Sequence, residues 1–170
     1  MITVPAASPA TAYTGGVKQL RGFWLGTLLL AGCGAVSVPS FSAQDVAAAL
    51  SVAVLGGVTI RVNASAGNDD FPRVGGGSQG PTGLEVTLTG DRPLPTNIRV
   101  EGLYAVSAGQ VYGVKATGRE ASGDAQLVYQ GLISPKVSSS VPLTMAALIT
   151  DGTTTQLVRD PDEVTIVSAQ

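Results

Sequence analysis

The chain has 170 residues, with 10 basic and 12 acidic side chains, one cysteine and no histidine. This composition excludes zinc and iron sites and every serine nucleophile that needs a histidine base. The formal net charge of −2 and the scattered Lys and Arg residues argue against a nucleic-acid-binding protein. Charged residues make up only 13% of the chain, about half the usual share, which favours a subunit whose surface is covered by neighbours.

The first 16 residues contain two prolines, two glycines and no charge, and they show no helical or strand periodicity. Such a segment cannot bury enough surface to fold alone, so we predict an extended arm. We expect two parts in the chain. Residues 1–41 form an extended N-terminal arm with an apolar segment, and residues 42–170 form a β-rich domain with one short helix.

The apolar segment ends at the only cysteine. Leu30-Ala31-Gly32-Cys33 resembles the lipobox of bacterial lipoproteins, and it follows an apolar run preceded by Lys18 and Arg21, which is the order of an export signal. An uncharged opening of about 17 residues before the basic residues is unusual for such a signal. The preferred interpretation is that residues 24–31 are a buried strand or core segment and that Cys33 is a small hydrophobic residue.

The strongest helix signal begins at Ser42. Ser42 is a good N-cap, and Asp45 stands three residues later in the position of a capping box. The pattern predicts a helix of about 8 to 12 residues that ends before Gly56.

From Gly57 onward, short segments alternate apolar and polar side chains, as half-buried antiparallel strands do. Hairpin turns are predicted at Ser107-Ala108-Gly109 and at Asp151-Gly152, a long loop at residues 64–83, and a break between two β layers at residues 90–95. The predicted fold is mainly β, an antiparallel sandwich or barrel of about eight strands with one short helix and the N-terminal arm. The predicted strands are residues 58–63, 84–89, 97–104, 111–117, 125–134, 143–150, 154–159 and 164–168.

The glycine-rich stretch matches two catalytic patterns without the context that either needs. Gly75, Gly77 and Gly80 fit G-x-G-x-x-G, but the segment continues into Pro81 rather than into a helix that would receive a phosphate. The overlapping G-x-S-x-G match around Ser78 lacks a histidine base.

A serine–lysine pair could in principle use Lys18, Lys115 or Lys136 as its base. None of these lysines lies in a Ser-x-x-Lys motif.

Two acidic clusters, Asp69-Asp70 and Asp160-Pro161-Asp162-Glu163, are the candidates for glycoside hydrolysis or calcium binding. The chain has few aromatic residues to form a sugar platform, and the spacing lacks the order of an EF-hand loop. A solvated turn at Pro161 is the preferred interpretation. We therefore predict no catalytic, cofactor-binding or metal-ligating residue, no cofactor and no enzymatic activity.

The apolar N-terminus MITVPAASPATAYTGG, Gly/Ser/Thr-rich segments such as residues 83–90 and the lack of a catalytic set together resemble the small structural proteins of tailed-phage virions. No family motif is matched residue by residue. The resemblance implies a virion-located subunit that stabilises the capsid as a decoration or cement protein. Its implied partners are further copies of itself and virion proteins such as the major capsid protein, with no nucleic acid and no membrane.

Two alternatives stay open at this point. One is a tail-tube or other phage tail protein, which the same resemblance covers. The other is an exported bacterial lipoprotein or surface-binding module of the envelope, anchored through Cys33.

Overall fold

The computed structural model describes residues 37–68, 80–121, 123–134 and 136–168. Residues Ala35–Gln170 belong to one compact unit. Of the arm and apolar segment predicted at residues 1–41, only residues 37–41 are described, and Val38 and Phe41 of this part pack on the domain. Within those ranges the elements are one helix and ten strands: α1 (Ala43–Ala47), β1 (Val52–Leu55), β2 (Val58–Asn68), β3 (Thr82–Gly90), β4 (Arg99–Ser107), β5 (Gln110–Lys115), β6 (Thr117–Ala121), β7 (Gln126–Ile133), β8 (Thr144–Thr150), β9 (Thr155–Arg159) and β10 (Ile166–Ser168).

The strands form two sheets, which confirms the mainly β, antiparallel fold class. The larger sheet has the order β1-β2-β3-β7-β6, and the smaller one has the order β5-β4-β8-β9. The short strand β10 joins the larger sheet and is its parallel exception. It pairs with the C-terminal part of β2, and β1 pairs with the N-terminal part of the same edge.

The main hydrophobic core lies between the two sheets. Strand β3 shows how the sequence builds it, because every second residue from Thr82 to Leu88 is buried and the residues between are half-buried. Full burial of one Val, Leu or Ile side chain contributes about 1.5–3 kcal/mol, so the shared face of the two sheets is the main source of stability. The completely buried members include Ile60, Val62, Val86, Leu88, Leu103, Leu143, Met145, Ile149 and Val158.

A second, smaller cluster covers the outer face of the four-stranded sheet. Tyr104 of β4 and Leu148 of β8 point to this face, and Val46 of α1 is packed on them. Val38 and Phe41, which precede the helix, complete the cover. The four-stranded sheet is therefore buried on both faces at this point.

The predicted helix is too long. It begins at the predicted N-cap, with Ser42 accepting from the backbone N–H of Asp45 and the Asp45 carboxylate accepting from the backbone N–H of Ser42, but it ends at Ala47. The residues after it form β1, which pairs with β2 through a turn at Gly56-Gly57. Both glycines have positive φ, 56° and 76°, as a tight two-residue hairpin requires.

Two further expectations need correction. The predicted loop at 64–83 is shorter at both ends, because β2 continues to Asn68 and β3 begins at Thr82. The single strand predicted at 111–117 is two strands, β5 and β6, which belong to different sheets. The hairpin turns at Ala108-Gly109 and at Gly152 are confirmed, with φ of 48°, 80° and 88°, and the predicted break at 90–95 does separate the two sheets.

No helix among the described residues is long and apolar enough to cross a membrane.

Candidate functional site

Residues 37–41, here called the strap, lie on the outer face of the four-stranded sheet. The Tyr104 hydroxyl donates a hydrogen bond of 2.9 Å to the carbonyl oxygen of Pro39. The ring of Phe41 meets the ring of Tyr104 edge to face, with centroids 5.0 Å apart, a favourable aromatic geometry. Burial, aided by the charge of Glu101, raises the pKa of Tyr104, so its hydroxyl remains a donor at neutral pH. The strap is thereby fixed to the domain.

Two glycines make room for this contact. Gly113 of β5 stands directly opposite Tyr104, and a Cβ there would lie 3.0 Å from Tyr104 Cε1. A Cβ at Gly102 would lie 3.1 Å from the Tyr104 hydroxyl oxygen and 3.2 Å from Val38. The tyrosine ring and the strap therefore rest on bare backbone, where any larger residue would displace them.

A cleft of about 330 Å³ borders the strap and is lined by Ser37, Ser40, Tyr104 and Lys115 among others. It brings one lysine of the conceivable serine–lysine pairs near two serines. No hydrogen bond joins Lys115 to either serine within the described part of the chain, and Lys115 is exposed. A serine nucleophile needs such a bond to a base, so this cleft lacks the arrangement.

The acidic cluster at Pro161 has a structural role that the sequence interpretation missed. Asp160 is buried, with 5% of its surface exposed. One carboxylate oxygen accepts from the backbone N–H of Ala64 and the other from that of Asp162. The prediction of a solvated turn is correct for the exposed Asp162 and Glu163 but wrong for Asp160. In the described ranges no group of three or more His, Cys, Asp or Glu residues is placed to hold a metal ion.

The outer face of the six-stranded sheet is here called the open face. The strand register arranges its outward residues in rows across the sheet. Eight of the 18 residues in these rows are Ser, Thr, Asn or Gln, and all 18 are exposed or half-buried. From one end of the strands to the other, the rows are Val54–Thr59, Val52–Arg61–Thr89–Gln126, Asn63–Thr87–Val128–Glu120, Ser65–Glu85–Gln130–Thr117 and Val167–Gly67–Gly83–Leu132.

The last row combines two glycines with two exposed apolar side chains. Gly67 and Gly83 stand opposite each other on β2 and β3 and form a floor without side chains. Leu132 and Val167 flank this floor and are 67% and 70% exposed. With Val54 at 63%, three of the four large hydrophobic residues that are exposed in the described structure lie on the open face.

Most of the remaining sequence-predicted site residues lie outside the described residues. These are Lys18, Cys33, the pair Asp69-Asp70, and Gly75, Gly77 and Ser78 of the glycine-rich stretch. Two are described: Gly80 lies just before β3, and Lys136 is half-buried in the segment after β7.

Comparisons of the chain with known protein families, with curated protein sequences and with solved structures find no match.

Sequence reasoning missed both the strap and the open face. A signal for the open face was present, because the alternation that marks β2, β3 and β7 as half-buried also assigns their polar residues to one common surface. The strap had no comparable signal, since the partner of Pro39 is 65 residues away at Tyr104.

Proposed function

We propose that this chain is an exported bacterial lipoprotein, a non-enzymatic surface module whose β-sandwich is held at a membrane through a lipid on Cys33. The observation that carries the proposal is the position of the domain boundary. The compact unit begins at Ala35, two residues after the cysteine of the lipobox-like motif.

Processing at that motif would remove residues 1–32 and leave the sandwich intact. The strap begins at residue 37, and the buried hydrophobic residues of the domain run from Val46 to Ile166. The chain has first basic residues, then an apolar run, then the motif and then the compact unit. This is the order of segments in an exported lipoprotein. This agreement between a sequence signal and a structural boundary supports the anchor over the interpretation of residues 24–31 as a core segment.

The anchor would hold the sandwich close to the membrane. Only three residues separate Cys33 from Ser37, and an extended chain of this length spans about 13 Å. Because Tyr104 and Phe41 fix the strap to the sheet, the tether leaves the domain at a defined place. The open face then remains as the surface for contacts with other molecules.

A second candidate is a structural subunit of a phage virion, either a capsid decoration protein or a tail component. The open face favours it, because an uncovered sheet surface is available for contacts between subunits. The weak surface charge fits the same role. This candidate gives no reason for the coincidence of the motif with the domain boundary, so we place it second.

Intact mass spectrometry of the protein from its natural source distinguishes the two candidates. For the lipoprotein we expect a chain that starts at Cys33 and carries acyl groups, and that fractionates with membranes. The variant Cys33→Ser should keep residues 1–32 attached and carry no lipid. A wild-type chain that retains residues 1–32, or that copurifies with virus particles, would overturn the proposal and support the virion subunit.

A further inference from the structure

We propose that the open face is a docking surface for a second copy of this chain, which packs face to face across a two-fold axis. The inference uses only the described sandwich and is independent of the anchor at Cys33. It rests on three properties of the open face, namely its unpaired charges, its exposed apolar residues and its area.

The first property is a pair of opposite charges that lack ion-pair partners. Arg61 of β2 is exposed and forms no ion pair within the described residues. Glu85 of β3 accepts a hydrogen bond from Gln130 at 3.0 Å, and it too forms no ion pair within the described residues. The two residues lie two rows apart on adjacent strands, one on each side of the row that contains Asn63 and Thr87.

A two-fold axis that lies along this central row brings the charges together. The rotation inverts the strand direction but keeps each residue over the same strand. Arg61 of one copy then lies over Ser65 of the other, and Glu85 is next to that Ser65, one strand or about 4.8 Å to the side and within reach of the long arginine side chain. Because the axis is two-fold, the contact occurs twice, as in every isologous interface. Opposite charges placed in this way fix the register of an interface.

The same axis also matches the apolar residues. Val54 lies on β1 and Val167 on β10, and both strands flank the same edge of β2 at its opposite ends. Rotation about the central row places Val54 of one copy over Val167 of the other. Both side chains are more than half exposed in the single chain, so their mutual burial is favourable.

The area is sufficient for a specific interface. With strands about 4.8 Å apart and residues about 3.3 Å apart along each strand, the five rows on four to five strands cover about 500–650 Å² per copy. Two copies would bury about 1,000–1,300 Å², the lower range of specific interfaces.

Glu120 lies in the central row and would approach Glu120 of the other copy. This residue is on the edge strand β6, where the twist of packed sheets separates the two surfaces, so the two like charges stay apart.

Charge reversal tests the geometry directly. We expect the full-length chain to dimerise in light scattering coupled to size-exclusion chromatography, and Arg61→Glu or Glu85→Arg to raise the dimer dissociation constant about tenfold. The double variant Arg61→Glu/Glu85→Arg should recover most of the loss, because the pair is restored with opposite polarity. Arg99→Glu, an exposed reversal on the other sheet, is the matched control and should leave association unchanged.

Circular dichroism of each variant separates lost association from lost folding. A chain that is monomeric at high concentration would overturn the proposal. So would a dimer that both single reversals leave intact, since association would then use another surface. Losses that add in the double variant, without recovery, would also overturn it.

Discussion

At the scale of single residues, the position of Asp160 is set by a gap in the edge of the larger sheet. Strand β1 pairs with β2 as far as Arg61, and β10 begins to pair at Ala66. The backbone N–H of Ala64 lies in the gap between them and donates to the Asp160 carboxylate. A buried donor without a partner costs about 1–3 kcal/mol, so this carboxylate completes the edge where no strand is available.

Removal of the carboxylate should therefore destabilise the domain. We expect Asp160→Ala to lower the free energy of unfolding by about 1–3 kcal/mol, because the N–H groups of Ala64 and Asp162 both lose their acceptor. Urea unfolding followed by circular dichroism measures the change. Asp162→Ala is the matched control, since Asp162 is exposed and should have an effect within about 0.5 kcal/mol. Equal effects of the two variants would contradict the assignment.

At the scale of elements, one carboxylate joins turns of the two sheets. Asp151 lies in the β8–β9 turn, where it accepts from the backbone N–H groups of Thr154 and Thr153 at 2.7 and 2.8 Å. It also accepts, at 3.2 Å, from Gly56 in the β1–β2 turn. Hydrogen bonds to the charged form, first that from Thr154, lower the pKa of Asp151.

This shift predicts a loss of stability in acid. A carboxyl group whose folded pKa lies below its unfolded value of 3.8 stabilises the fold above that value, and the contribution is lost as the pH falls below it. Asp45 and Asp91, with lowered pKa values from bonds to Ser42 and Thr59, act in the same direction.

Urea unfolding between pH 6 and pH 3 should therefore show a falling midpoint, and Asp151→Asn should flatten part of the decline. Asp162→Asn removes an exposed carboxylate elsewhere in the domain and serves as the comparison of equal net charge. An undiminished decline in Asp151→Asn would exclude this residue as a source of the pH dependence.

At the scale of the whole molecule, the sandwich contains its own hydrophobic core and its own packing on the outer face of the four-stranded sheet. Both faces of the four-stranded sheet are packed, by the larger sheet on one side and by the strap and α1 on the other. Only the open face of the larger sheet is uncovered by the rest of the described chain. The described domain is therefore covered on the side of the strap and α1 and available for contacts on the other.

A fragment of residues 35–170 should fold alone. We expect the same β-type circular dichroism as for the full chain and one cooperative thermal transition, because the core lies within this range. A matched fragment that begins at Ser42 lacks Val38 and Phe41. It should be less stable by about 1–3 kcal/mol, since the Tyr104 ring loses its cover. A fragment 35–170 without cooperative unfolding would show that the preceding residues belong to the fold.

The sequence by itself determined the class of the fold, the strand faces and the tight turns. These features depend on neighbours along the chain. The alternation in β3, the capping box at Ser42 and the glycine of the β8–β9 turn each act over a few residues. The pair Gly56-Gly57 was a local signal of the same kind. It was not used, because the helix predicted from the capping box extended over the residues that form β1.

Only the tertiary structure decided what depends on residues far apart in the sequence. The pairing of β3 with β7 and of β4 with β8, the buried bond from Ala64 to Asp160 and the attachment of Pro39 to Tyr104 all join distant segments. Their free energy comes from burial and from the satisfaction of backbone groups, which local propensity does not encode. For the same reason, the open face exists only because the strands of the six-stranded sheet lie side by side.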